Sequence, residues 1–238
     1  MAQDSATGPA RRAGDHGRRG RLSREVVLAA ALELVDREGL SALSMRRLGA
    51  ELGVEAMALY RYANGKDALL DGLVEALHLE LELQLDEGRA APDADWRAGL
   101  HRIAVHTYEV CLGHPHVVPL LATRMLAVPL AQRPLAVLRS HERILALLGT
   151  AELGPARTAA AFRAVTAWIL GYVSVELGPM VDNPAETDPS FRLGLHRMPA
   201  QELPTLRGIT PVLAERGGRA GLVAGLDALL DRFTAEEA

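Results

Sequence analysis

Residues 44–66 read Ser-Met-Arg-Arg-Leu-Gly-Ala-Glu-Leu-Gly-Val-Glu-Ala-Met-Ala-Leu-Tyr-Arg-Tyr-Ala-Asn-Gly-Lys. Gly53 divides this stretch into two short helix-forming segments and reads as a tight turn between them. Ser44 is placed to cap the first segment, which is expected to run to about Leu52 with Leu48 and Leu52 facing inward. Glu55 opens the second, expected to reach about Tyr62 with Leu59 as its inward anchor. Two short helices across such a turn form the unit that sets a second helix into the DNA major groove. Lys66, just beyond, is the single lysine among 26 basic residues.

On the amino-terminal side, Ser23 is a candidate cap for a preceding helix, with Glu25 near its positive end. Leu28, Ala31, Leu32 and Val35 form an apolar stripe at helical spacing, and Gly39 ends that helix. Residues 1–22 hold few large apolar side chains, several glycines and clustered arginines, which predicts a disordered basic tail. On the carboxyl-terminal side, Asn64-Gly65 is a turn signal. Asp67 is expected to cap a long helix through Leu85, with Leu70, Leu73, Val74, Leu77 and Leu81 on its apolar face. The organisation expected is a tail at 1–22, a helix-turn-helix domain at 23–66 and a larger helical domain at 67–238.

In that larger domain a polar loop is expected at 86–92, then helices near 95–112, 134–148, 156–178, 203–216 and 219–234. The stretch 179–204 contains Pro179, Pro184, Pro189, Pro199 and Pro204 and reads as a long loop. Gly217, Gly221 and Gly225 recur every fourth residue, a spacing suited to a close helix crossing at a dimer interface. No strand is expected, so the fold class is all-α.

The 238 residues suffice for one large or two small domains, and 49% apolar with 24% charged residues is ordinary for a globular chain. Net charge is −4, which excludes a uniformly basic nucleic-acid binder. Its distribution is uneven. The first 66 residues carry eleven basic and eight acidic side chains, a net +3, leaving −7 for the remainder. A basic end on an acidic body suits a protein that meets DNA with one end only. Cys111 is the single cysteine, so no intrachain disulfide forms and a reducing, cytoplasmic setting is expected. No apolar run of 18 residues stands out, so no membrane span is expected, and residues 1–22 lack a signal-peptide core. His101, His106, His114 and His116 lack metal-site spacing, and no phosphate loop or nucleophile motif occurs. No metal, cofactor or catalytic residue is therefore assigned.

Residues 23–85 resemble the DNA-binding end of the TetR family of transcriptional repressors. The resemblance rests on Leu52-Gly53-Val54, Leu59-Tyr60, Lys66 and Ala68-Leu69-Leu70-Asp71, at family spacing. More weakly, Trp96, Thr123-Arg124, Leu170-Gly171 and the final helix resemble the tetracycline-repressor branch. The resemblance implies an all-α homodimer whose last two long helices pair with those of a second copy. It further implies a pseudo-palindromic double-stranded operator and a small-molecule effector that releases it.

For the DNA contacts it implies phosphate positions at Tyr60, Lys66 and Arg46, the last beside Ser44 and Met45. Arg61 is placed to reach guanine O6 and N7 or a phosphate, and Tyr62 adjoins it. Ala56, Met57 and Ala58 occupy the front of the recognition helix and offer only apolar contact, as to a thymine methyl. The implied effector site lies among Ile103, Thr107, Leu120, Thr123, Arg124, Trp168 and Tyr172. The tetracycline repressors place a magnesium-binding histidine just before this Thr-Arg, where Leu120 or Leu121 stands here. Magnesium-tetracycline is therefore not the expected inducer; a larger, more apolar ligand is. The rival expectation is an all-helical enzyme or small-molecule-binding protein whose amino-terminal unit is structural only.

Overall fold

The computed structural model describes residues 22–87, 95–182, 185–199 and 201–235. The predicted tail and most of the polar loop lie outside them. Among the described residues there is no strand. The helices are α1 (Arg24–Glu38), α2 (Met45–Leu52), α3 (Ala56–Leu59), α4 (Lys66–Glu87), α5 (Trp96–Gly113), α6 (Val118–Ala127), α7 (Leu135–Gly149), α8 (Gly154–Asp182), α9 (Pro189–Arg192), α10 (Pro204–Gly208), α11 (Thr210–Ala214) and α12 (Gly218–Thr234).

Local chemistry accounts for the amino-terminal boundaries. Ser23 Oγ accepts from the Val26 amide at 3.3 Å, and Ser44 Oγ from the Arg47 amide at 3.1 Å, satisfying donors left free at a helix start. Gly53 ends α2 at φ 66°, in the left-handed region that glycine enters without steric cost.

Helix α4 joins the two parts of the molecule. It packs on α1 at one end and on α5, α6 and α7 along the rest, and its Leu69, Leu73, Val74, Leu77, Leu81 and Leu85 are buried. Leu70 is only partly buried, and the helix starts at Lys66 rather than at an Asp67 cap. One continuous apolar core runs from Val27 in α1 to Leu230 in α12.

Four further expectations are corrected. The second short helix stops at Leu59, and Tyr60 to Tyr62 form a turn. The helix expected at 203–216 is two short pieces, because Pro211 starts a new one. The long loop is shortened from both sides: α8 continues through Pro179 to Asp182, and α9 starts at Pro189. Pro179 falls in the last turn of α8; lacking an N–H, it cannot bond the Val175 carbonyl, and the helix ends three residues later.

The fourth concerns α8 as a whole. Gly154–Val181 is by length and composition apolar enough to cross a membrane, at mean hydropathy 1.4, with 22% of its apolar window buried. Arg157, Arg163 and Glu176 interrupt the stretch, so the sequence shows no continuous apolar run there. Within the chain α8 packs on α5, α6, α7 and α12. The face it leaves exposed carries Ala160, Arg163, Ala167 and Gly171, then Val175.

The four-residue glycine spacing in α12 also has a different cause from the one expected. A Cβ on Gly217 or Gly221 would lie within 2.4–2.5 Å of the Tyr172 hydroxyl, and one on Gly225 within 2.1 Å of the Trp168 ring. The glycines thus admit two aromatic side chains of the same chain. Trp168 Nε1 donates to the Leu222 carbonyl at 3.0 Å, and Tyr172 Oη to that of Gly218 at 2.8 Å. Glu176 completes the fastening by accepting from the Gly217 and Gly218 amides. Because the indole is rigid and half enclosed, Gly225→Ala should cost about 1–3 kcal/mol, read as a lower urea midpoint. An unchanged midpoint would show that this crossing tolerates a methyl group.

Candidate nucleic-acid interface and effector cavity

Helices α2 and α3 meet closely because of a glycine that sequence inspection did not single out. A Cβ on Gly49 would sit 2.8 Å from the Val54 carbonyl and 3.2 Å from the Ala56 amide nitrogen. Both obstacles are backbone, so they cannot swing aside. The four-residue interval from Gly49 to Gly53 was the available signal.

On the outer surface of this unit the arginines divide into two groups. Arg47 binds Glu38 at 2.5 Å, and Arg37 binds Glu51 at 2.8 Å. The Glu38 carboxyl is accordingly held below the ordinary range, chiefly by its hydrogen bond from Arg47. Arg46, Arg61 and Lys66 are exposed and make no ion pair among the described residues. They stand around α3: one at the start of α2, one just past α3 and one at the start of α4. Met57 projects from α3 at 76% exposure, and Tyr60 follows at 45%. Ala56 and Ala58 are half-buried beside it, as is Met45 on α2.

Two of the predicted contact residues have internal duties. Ser44 Oγ is the α2 cap already described. Tyr62 is partly buried, and its hydroxyl donates to the Leu22 carbonyl at 2.8 Å, fixing the chain where α1 begins.

Three polar links join this unit to the body. Arg24 binds Glu75 at 2.6 Å. Arg124 of α6 reaches Asp67 at 2.5 Å and Asp71 at 3.1 Å in the first turns of α4. His114, after α5, lies between Asp36 of α1 and Glu80 of α4, at 2.7 and 2.9 Å from opposite ring nitrogens.

The predicted effector residues are not gathered at one site. Ile103 and Leu120 are buried core residues. Thr123 is exposed, its hydroxyl bonded to the Pro119 carbonyl. Arg124 makes the ion pairs to α4, and Trp168 and Tyr172 hold α12. Thr107 alone of these lines the small half-open cavity between α4, α5, α6 and α8, with Leu77, His78, Leu81, Val110, Cys111, Leu121 and Leu170. Its volume is about 30 Å³. Burial pushes the Cys111 thiol up to about 12, aided by Glu80, so it stays protonated. A larger cavity of about 390 Å³ lies at the end of α8, lined by Pro179, Met180, Arg192, Leu213 and Arg216 among others. It includes none of the predicted residues.

His78 and His141, which sequence inspection passed over, make the interior polar. His78 lies three residues before Leu81 and four after Val74, squarely on the apolar stripe of α4, and that was the signal. Burial, with His141 as a lesser cause, pushes the His78 imidazole down to about 4. His141 is lowered too, first by burial and then by Arg133. Both fall below the ordinary 6.5, so the unfolded chain binds more protons than the folded one at mildly acid pH. Their stabilising contribution is complete above about pH 6.5 and is lost as pH falls toward 4. Urea midpoints measured across that window should fall less steeply for His78→Leu than for the parent; parallel curves would contradict the burial of a neutral imidazole.

Comparison with known proteins agrees with this geometry. Residues 27–73 match the family described as bacterial regulatory proteins, tetR family. The chain is 34% identical over 155 residues, 65% of its length, to an HTH-type transcriptional regulator of Saccharopolyspora erythraea. It is 31% identical over 156 residues, 66% of its length, to the HTH-type transcriptional repressor DrrR1 of Streptomyces coeruleorubidus. These alignments span 61% and 54% of the two relatives. Among solved structures, a possible TetR family transcriptional regulator from Streptomyces coelicolor A3(2) superposes with a TM-score of 0.71 at 27% identity, covering 88% of this chain and 98% of that one.

Proposed function

This chain belongs to the TetR family of bacterial regulatory proteins, and from that premise we propose that it is a ligand-responsive transcriptional repressor. It binds a pseudo-palindromic double-stranded operator as a homodimer and is released by a small apolar or aromatic effector. It acts in the cytoplasm, by binding rather than by catalysis. The observation that carries the reading is the set of unengaged cations around α3. Neighbouring arginines are neutralised by Glu38 and Glu51, whereas Arg46, Arg61 and Lys66 stay available for phosphates or base edges.

In this reading Lys66, Arg46 and Tyr60 donate to backbone phosphates, and Arg61 reaches a guanine edge or a further phosphate. Met57, with Ala56 and Ala58 at its sides and Met45 nearby, supplies apolar contact in the groove. Ser44 holds the start of α2 in place, leaving free backbone amides of that turn toward phosphate. Tyr62 acts from behind by fixing Leu22.

The dimer reading rests on the uncovered face of α8, where Ala160, Ala167 and Gly171 leave Arg163 as the one large charged side chain. Ala220, Ala224 and Ala228 give α12 an exposed face of the same kind. Two such helices from each copy suit close packing in a four-helix bundle. Burying that face removes the apolar area of Ala160, Ala167 and Val175 from water, with the Arg163 head free to stay at its edge. Gly171 has no atom of its own chain within 4 Å of a Cβ position, so Gly171→Arg should leave the protomer folded and yield monomers in analytical ultracentrifugation. A Gly171→Arg protein that still sediments as a dimer would place the interface elsewhere.

DNA binding is tested by fluorescence anisotropy on the DNA upstream of the chain's own coding region, with scrambled DNA as control, over a salt series. Sequence-preferring binding is expected. Lys66→Ala should weaken binding to preferred and scrambled DNA alike and reduce the log-log salt slope by about one. Binding no tighter than to scrambled DNA, for both this fragment and genome-selected fragments, would overturn the regulator reading.

A further inference from the structure

The cavity of about 390 Å³ at the end of α8 has its cause in the local sequence. Pro189 and Pro211 stand in the first turns of α9 and α11, so neither helix extends backward. Asp188 fixes the start of α9 by accepting from the Ser190 amide at 2.8 Å and the Phe191 amide at 3.3 Å. The two short helices pack on each other and leave a half-open space beside Pro179 and Met180 of α8. Its volume falls in the range of small-molecule sites, and its walls are mostly apolar. Three large apolar side chains on those walls, Val175, Leu193 and Leu213, are exposed. Exposed apolar groups gathered around a hollow mark a binding surface, whereas scattered ones do not.

Two guanidiniums border this space and engage only weak partners. Arg192 Nε donates to the Glu186 carbonyl at 2.9 Å, and its Nη2 donates to the same oxygen. Arg216 Nη1 rests 3.1 Å from Met180 Sδ, a poor acceptor. Among the described residues neither makes an ion pair. A guanidinium carries more N–H donors than these contacts use. The carboxylates lining the cavity are Glu176 and Glu215. Glu176 is already engaged: Oε1 accepts from the Gly217 amide at 3.0 Å and Oε2 from the Gly218 amide at 3.2 Å, at the positive end of α12. Glu215 alone is left to face two guanidiniums, so the cavity holds a surplus of positive charge. A mostly apolar hollow with surplus guanidinium suits an anion carried on an apolar body.

We propose that this cavity is a ligand site and that its ligand is an amphipathic acid, a single carboxylate on an apolar body. This names the chemical class of the effector in the regulator reading above and rests on that reading. A carboxylate pairs with guanidinium through charge-assisted hydrogen bonds, which a neutral head group cannot match. A cationic head group would be set against Arg192 and Arg216. No residue of α4 lines the cavity. Val175, by contrast, lines it and also belongs to the α8 face assigned above to the dimer. An occupant therefore bears on the seam between two copies rather than on α4.

The test uses the full chain and three probes of equal chain length: octanoate, octanol and octylammonium. Binding is measured by calorimetry at neutral pH for the parent, Arg216→Gln and Leu213→Asp. Both positions are exposed, and each variant is first checked for folding by thermal melting. Octanoate should bind the parent more tightly than octanol, and octylammonium should bind most weakly. Arg216→Gln should weaken octanoate about tenfold and leave octanol unchanged, as expected for the loss of one charge-assisted hydrogen bond. Leu213→Asp, which sets a carboxylate on the wall, should weaken octanoate more than octanol. Methyl NMR of the parent locates the probe with the cavity intact. Octanoate should shift the Met180 methyl signal, assigned by its loss in Met180→Leu, and leave that of Met57 in place. Octanol binding as tight as octanoate, an octanoate affinity unchanged by Arg216→Gln, or an unmoved Met180 signal would each overturn the assignment. Operator affinity of the probe-free protein is measured alongside. Its absence would count against the regulator reading, whereas octanoate binding that ignores Arg216 would count against this assignment alone.

Discussion

The structure depends on α4 being buried at both ends by different partners. Its first turns carry Leu69 and Leu73 into the small core formed with α1, and its later turns carry Leu77, Leu81 and Leu85 into the body. Gly72 makes this possible at the crossing with α1, where an added Cβ would lie 2.3 Å from Leu28 Cδ2. Close-packed interiors transmit displacement rather than absorb it. A shift in the body half of α4 therefore moves the half that carries α1, α2 and α3.

Polar links reinforce that rigidity at the surface. Arg124 ties α6 to Asp67 and Asp71, and His114 ties the end of α5 to both α1 and α4. Each link is individually modest, being partly exposed. Together they hold α4 against α1, α5 and α6 at its surface. A ligand can exploit them only if it binds one arrangement more tightly than the other.

Much of the fold was legible from the chain because its signals are local. Ser23 and Ser44 cap where hydroxyls should, Gly53 turns where a left-handed residue is needed, and the stripe of α4 follows helical periodicity. The recognition unit was legible for the same reason, since its residues lie within 23 consecutive positions. What was not legible depends on pairing across the sequence. Nothing local to Tyr62 announces that Leu22, forty positions earlier, accepts its hydroxyl hydrogen bond. Gly217, Gly221 and Gly225 read as an interface until Trp168 and Tyr172 are seen beside them. Arg124 pairs with Asp67 and Asp71, more than fifty positions away, and nothing local announces it. His78 and His141 lie 63 positions apart, and no periodicity announces that their rings share one interior.

The central claim is that two copies of this unit are held by the body at a spacing that matches DNA. Cys111 is buried with its thiol protonated, so a single introduced cysteine can be labelled selectively. Asn64 is exposed in the turn between α3 and α4 and suits this purpose. Electron–electron distance measurement on spin-labelled Asn64→Cys protein bound to operator DNA should give one narrow distribution on the order of a DNA helical turn, about 34 Å. No intermolecular distance, or a broad distribution that operator DNA leaves unchanged, would contradict the account.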